Sequence, residues 1–145
     1  MPPADELTTA VLDASVAVQW LVPERGSEAA ASLIERPITW LAPRLLVTEV
    51  ASALRRKVVE DGLRVEFAVQ AVDILGQAVS NGMLQLAEDE TLVAAALMLA
   101  LTLEHKVPDC LYLALAEREA TPLVTADRVL GNLAERRGLP VLRFH

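Results

Sequence analysis

Apolar positions recur along the chain with two periods, and the switching between them predicts strands and helices in alternation. Thr9-Ala10-Val11-Leu12 is a short β-tending run that stops at Asp13, and the stretch from Ala14 to Leu21 follows at helical spacing. Pro23-Glu24 is expected to open a second helix running to about Ile34, with Pro37 stopping it and Ile38 to Leu41 forming a strand before Pro43. From near Arg44, Leu46, Val50, Leu54 and Val58 mark one face of a long helix that ends at Asp61-Gly62. Val65 to Val79 is a further amphipathic helix, closed by Ser80-Asn81-Gly82, and Met83-Leu84-Gln85-Leu86 reads as a strand. Thr91 is placed to cap the next helix, and the apolar stretch from Leu92 to Leu103 is expected to be buried. After His105-Lys106-Val107-Pro108 a helix is expected from Asp109 through Glu119, followed by the strand Pro122-Leu123-Val124-Thr125. A last helix starts near Asp127 and ends at Gly138, and Val141-Leu142-Arg143-Phe144 supplies a final strand.

This alternation implies an α/β fold with a small parallel sheet flanked by helices on both faces. No repeat, low-complexity stretch or linker interrupts it, so residues 1–145 are expected to form one domain. Composition agrees: 145 residues with 53% apolar content suffice for one sizeable core and are too few for two ordinary domains. With only 3% aromatics, that core has to be built from Ala, Val and Leu. Thirteen Lys plus Arg against twenty Asp plus Glu leave a formal charge of −7, which argues against coating nucleic acid by bulk charge but permits a local Arg cluster on phosphates. One cysteine, Cys110, with His105 and His145 can form neither an internal disulfide nor a Cys/His zinc cage, and a reducing, cytoplasmic compartment is expected. Met1 to Glu6 is acidic where a signal peptide would be positive, and Leu92 to Leu103 is about half the ~20 residues a membrane span needs, so neither secretion nor a span is expected.

Ligand sites on parallel sheets form beyond the carboxyl ends of the strands. Asp13 and Asp127 follow apolar strands there, Asp109 heads a helix, and Glu49 lies one turn into another with Leu45, Leu46 and Ala53 on its own face. Each acid has a plain structural explanation: helix N-capping for Asp109 and Asp127, a strand-ending turn for Asp13, an exposed helix position for Glu49. Their combination says more, because four carboxylates converging without a counter-charge would repel and have to take up protons, a conflict that a divalent cation resolves. Oxygen ligands without a thiol or imidazole set favour magnesium or manganese over zinc, and the natural reaction class is phosphodiester hydrolysis.

The segments Val11-Leu12-Asp13-Ala14-Ser15, Thr48-Glu49-Val50-Ala51-Ser52-Ala53-Leu54, Pro108-Asp109-Cys110-Leu111-Tyr112-Leu113-Ala114-Leu115-Ala116 and Leu123-Val124-Thr125-Ala126-Asp127 occur in an order and spacing that resemble PIN-domain ribonucleases. In size and layout the chain is similar to the VapC toxins of bacterial toxin–antitoxin pairs, and the resemblance covers nearly its whole length. It implies a PIN-like domain, a metal-dependent endoribonuclease acting as a toxin, and Asp13, Glu49, Asp109 and Asp127 as the set that binds Mg2+, with Mn2+ able to substitute. It further implies an RNA substrate, a homodimer, and a VapB-type antitoxin whose C-terminal segment covers the acidic groove. The chain departs from related sequences at Ser52, where Asn often stands, which touches a secondary contact and not the metal set.

Ser15 and Thr125 lie two residues from Asp13 and Asp127 and are expected either to hydrogen-bond a carboxylate from behind or to bond locally in turns. Arg44, Arg55, Arg56 and Arg128 are candidate phosphate contacts with a solvated surface as the simpler role. Cys110 is expected to be a core thiol, His105 a loop residue and His145 a terminal one, and Trp20 and Trp40 packing or interface residues. The apolar faces of Ala14–Leu21 and Val65–Val79 are the candidate dimer surfaces. Three other functions compete: a non-catalytic PIN-like scaffold for RNA or a partner, a receiver-like magnesium switch, and a small-phosphate hydrolase using Asp13. The switch needs a lysine after the last acidic strand, whereas the two lysines are Lys57 and Lys106, and the hydrolase needs an acid where Ser15 stands.

Overall fold

The computed structural model describes residues 6–23 and 27–144. Strand β1 (Thr9–Leu12) leads into helix α1 (Ala14–Leu21), and α2 (Ser27–Ile34) precedes β2 (Thr39–Pro43). Helices α3 (Leu45–Asp61) and α4 (Val65–Ser80) follow, then β3 (Leu84–Ala87), a single 3-10 turn over Asp89–Thr91, and α5 (Val93–Leu103). The chain closes with α6 (Val107–Glu119), β4 (Leu123–Thr125), α7 (Arg128–Arg136) and β5 (Val141–Arg143). Of the expected opening of the second helix, Pro23 stands outside α2 and Glu24 lies outside the described residues, as do His145 and residues 1–5.

The five strands form one parallel sheet in the order β3-β2-β1-β4-β5. β1 is central, and Ala10, Val11 and Leu12 are all buried. Since neighbouring strand residues point to opposite faces, burial of all three means that both faces are covered, as the alternating pattern predicts. After β1 the chain builds outward through β2 and β3, then returns to build β4 and β5 on the other side. The order therefore reverses between β1 and β4, and a crevice opens beyond their carboxyl ends. Register sharpens the point: Leu12 pairs with Val124, and the Asp13 amide donates to the Val124 carbonyl at 3.0 Å, so Asp13 sits level with Thr125 at the strand ends.

Three local expectations need correction. α6 starts at Val107, with Pro108 in its first turn, because proline at a helix start removes no hydrogen bond; Asp109 thus lies inside the helix instead of capping it. Thr91 does not cap α5: its hydroxyl donates back to the Glu88 carbonyl at 2.7 Å within the 3-10 turn. The Leu92–Leu103 stretch is only half buried, since Ala96, Leu99 and Ala100 pack inward while Val93, Leu97, Met98 and Leu101 are exposed. A helix packed on one side buries one stripe, whatever the hydrophobicity of the other. No helix among the described residues is long and apolar enough to cross a membrane.

Core positions follow composition. α6 buries every residue from Asp109 to Ala116, and Trp40 fills the sheet's interior, its Nε1 without a hydrogen-bond partner among the described residues. Cys110 is buried, as expected of a core thiol. Of the two candidate dimer faces, that of α1 is buried in the molecule, while α4 leaves Val65, Phe67, Val69 and Val72 exposed.

Candidate active site

Asp13 is the most deeply set acid, 6% exposed at the end of β1. Its backbone caps α1, with Val16 and Ala17 donating to its carbonyl, yet its side chain makes no cap bond. The carboxylate turns instead to two hydroxyls: Ser15 Oγ donates to Oδ2 at 2.5 Å and Thr125 Oγ1 to the same oxygen at 2.8 Å. Both hydroxyls are themselves held, because Ala126 N donates to Ser15 Oγ and Asp127 N to Thr125 Oγ1, each at 3.0 Å. Burial pushes the Asp13 carboxyl up to about 6; the two hydroxyls pull it down, and the nearby charges of Glu49 and Asp109 push it further up.

Glu49 projects from the second turn of α3 and is half-buried. Tyr112, fully buried on α6, donates its hydroxyl to Glu49 Oε1 at 2.5 Å. Desolvation raises the Glu49 carboxyl, the Tyr112 bond opposes this, Asp109 adds to it and Lys106 offsets part. Asp109 Oδ2 meets His105 Nε2 at 2.6 Å and Lys106 Nζ at 3.7 Å. Asp127 retains the plain role that its position suggests: Oδ1 accepts from Val129 N at 2.8 Å and Leu130 N at 3.1 Å, capping α7. In all four carboxylates these contacts fall on one oxygen and leave the other outside them.

The four acids line one cleft of about 520 Å³ beyond the carboxyl ends of β1 and β4, with Ser15, Gln19, Arg56, Lys57 and Lys106 around it. Among the described residues, Arg56 is the one of the four candidate arginines that lines this cleft. Arg55 faces the seam between α3 and α4 beside Val69 and Asp73, because successive helical residues point about 100° apart. Arg44 and Arg128 are exposed at the starts of α3 and α7. Lys57 and Lys106 were absent from the phosphate candidates; their signal was proximity in sequence to Arg56 and Asp109.

The donor chemistry fits a hard divalent cation. The hydrogen bonds to Asp13 come from neutral hydroxyls and the neighbouring acids raise its carboxyl further, while Arg56, Lys57 and Lys106 in the same lining offset part of the negative charge. Among the described residues no three His, Cys, Asp or Glu side chains stand close enough to enclose a metal. The acids lining the cleft offer carboxylate oxygens, the donor type that hard divalent cations take. His105, expected to be a loop residue, and Tyr112 are two further site neighbours that sequence reasoning did not assign to the site. The i,i+4 relation of His105 to Asp109 was visible, whereas the Tyr112–Glu49 bond joins residues 63 apart.

The signature of the PIN domain family matches residues 10–136, and the chain belongs to that family, whose members are generally nucleases. Among solved structures, PAE2754 from Pyrobaculum aerophilum is similar over 93% of this chain and 90% of its own, with TM-score 0.69 and 18% identity. VapBC2 from Rickettsia felis, bound to a DNA fragment from their promoter, is similar over 95% of this chain and 100% of its own, with TM-score 0.66 and 15% identity. These likenesses are likenesses of fold. None of the curated proteins matches the chain.

Proposed function

We propose that this protein is an Mg2+- or Mn2+-dependent endoribonuclease, the toxin of a VapBC-type toxin–antitoxin pair. The observation that carries the reading is the placement of buried Asp13 beside Glu49, Asp109 and Asp127 in one cleft at the point where the strand order reverses, in a chain of the PIN family. Asp13, Glu49, Asp109 and Asp127 would hold the cation. When bound, the cation makes a water a better nucleophile and stabilises charge developing on the phosphate. Ser15 and Thr125 hold Asp13 Oδ2 in place, and the amides of Val129 and Leu130 hold Asp127 Oδ1. Arg56, Lys57 and Lys106 at the rim are suited to the phosphates flanking the cut. With a net charge of −7 the remainder of the surface repels RNA, so binding is weak and strongly salt-dependent. The protein works in the cytoplasm, as a homodimer, held inactive by a VapB-type antitoxin over the groove; the VapBC2 fold neighbour supports that partnership.

The test is cleavage of a mixed RNA pool by protein free of antitoxin, in magnesium or manganese against EDTA, with Asp13→Asn alongside. Cleavage that needs metal and is lost in the variant is expected. Equal inertness of both proteins at low salt, with metal binding confirmed, would replace this reading with a non-catalytic scaffold.

A further inference from the structure

We infer that His105 is a positioning residue, which holds Asp109 in the orientation that a divalent cation in the acidic cleft requires. The inference rests on the reading of that cleft as a metal site. The turn that delivers His105 carries a backbone cost: α5 ends at Glu104, whose φ of 53° puts a residue with a full side chain where glycine is the usual choice. The amide of His105 then donates to the Ala100 carbonyl at 3.0 Å, which fixes the loop against the end of α5. One residue later Lys106 takes the N-cap position of α6 in extended backbone, without a side-chain cap bond, and Asp109 falls in the first turn.

A carboxylate in a first turn commonly serves the free backbone amides of its helix. The contact described for Asp109 goes instead to the imidazole, at 2.6 Å, with the two side chains only 20% and 12% exposed. Lys106 does not fill the role, since its Nζ lies 3.7 Å away and its side chain is 67% exposed, where water screens it. A carboxylate that serves as a cation ligand only accepts hydrogen bonds, so in the proposed arrangement Nε2 is the donor to Oδ2. The bond stops the carboxylate rotating and leaves Oδ1 outside it, on a residue that shares the cleft with Asp13 and Glu49. Ligand order already present before binding raises affinity, because binding no longer has to impose it.

The test separates the N–H donor from the bulk of the ring. His105→Gln and His105→Met have similar length, and only glutamine donates. Mn2+ binding is measured by titration calorimetry on the full-length metal-free protein, and RNA cleavage is followed against Mn2+ concentration. His105→Met is expected to weaken Mn2+ binding about 10- to 100-fold, the range found for groups that support metal ligands from behind, and His105→Gln clearly less. Saturating Mn2+ should return His105→Met to near the wild-type cleavage rate, since a positioning residue acts on affinity. Wild-type Mn2+ affinity in His105→Met, or equal loss in both variants, overturns the inference while leaving the metal site standing. A wild-type protein that takes up no Mn2+ overturns both.

Discussion

Replacing Asp13 with asparagine should make the metal-free protein more stable while abolishing its response to metal. The Asp13 carboxyl lies at about 6 in the folded protein against 3.8 for a free one. The difference of about 2 units, at 1.36 kcal/mol each, means that holding Asp13 ionised costs the fold about 3 kcal/mol. The sign follows from linkage: between about 4 and about 6 the native state binds a proton that the unfolded chain does not, so the cost is absent at low pH, grows as pH rises from about 4 and is complete above about 6. Asparagine keeps the shape and an acceptor for Ser15 and Thr125 without the charge. Urea unfolding in EDTA should therefore place Asp13→Asn about 1–3 kcal/mol above wild type at pH 8 and about a third of that above it at pH 4.5, with unchanged m-values. Comparing the two proteins at each pH cancels the titration of acids remote from Asp13, while Glu49 and Asp109, whose charges act on Asp13, stay coupled to the change. Adding metal at about 100 times its Kd should raise wild type by about 2.7 kcal/mol and leave the variant unmoved. A variant less stable than wild type at pH 8, or a difference that ignores pH, would refute the claim that Asp13 is held against its charge.

Two further substitutions probe the frame around the site. Tyr112→Phe removes the donor to Glu49 Oε1 and should cost about 1–2 kcal/mol in urea unfolding, because a half-buried carboxylate loses its partner. The same change should raise the pH midpoint of Glu49 ionisation followed by carboxyl NMR, since the lost bond was what opposed desolvation. Ala120, far along α6 from Asp109, ends that helix with φ of 50°, so Ala120→Gly should stabilise the protein by about 1 kcal/mol without altering metal affinity, read by thermal melts and calorimetry.

Much of this architecture is written locally. Val11, Leu12 and Asp13 identify a strand that stops, and Leu46, Val50 and Leu54 a helix with one inward face, because strand and helix periods are properties of a few consecutive residues. The parallel sheet follows from their alternation, and with it the rule that acids beyond strand ends face a common crevice. Asp13 and Asp127 were legible as crevice residues for that reason, with Ser15 and Thr125 beside them, whereas Glu49 and Asp109 line the same cleft from helices α3 and α6. What each carboxylate does was not legible. Asp13 and Asp127 both stand at the N-cap of the helix that follows a strand, yet the side chain of Asp127 caps its helix and that of Asp13 does not.

That choice depends on what lies across the sheet. Thr125 reaches Asp13 only because β4 pairs with β1 at that register, and the Leu45 amide at the start of α3 donates to Asp89 Oδ1 only because β3 lies beside β2. The same holds for exposure: the apolar stretch of α5 reads as buried all round, but the neighbour it was given, α6, covers one stripe and leaves Met98 and Leu101 in solvent. Sequence determined the elements, their order and the types of residue at the strand ends, since these depend on short-range sterics and hydrophobic period. Tertiary packing decided which oxygen of each acid is tied and by what, because hydrogen-bond partners such as Tyr112 and Thr125 are supplied from distant elements whose approach only the assembled sheet defines.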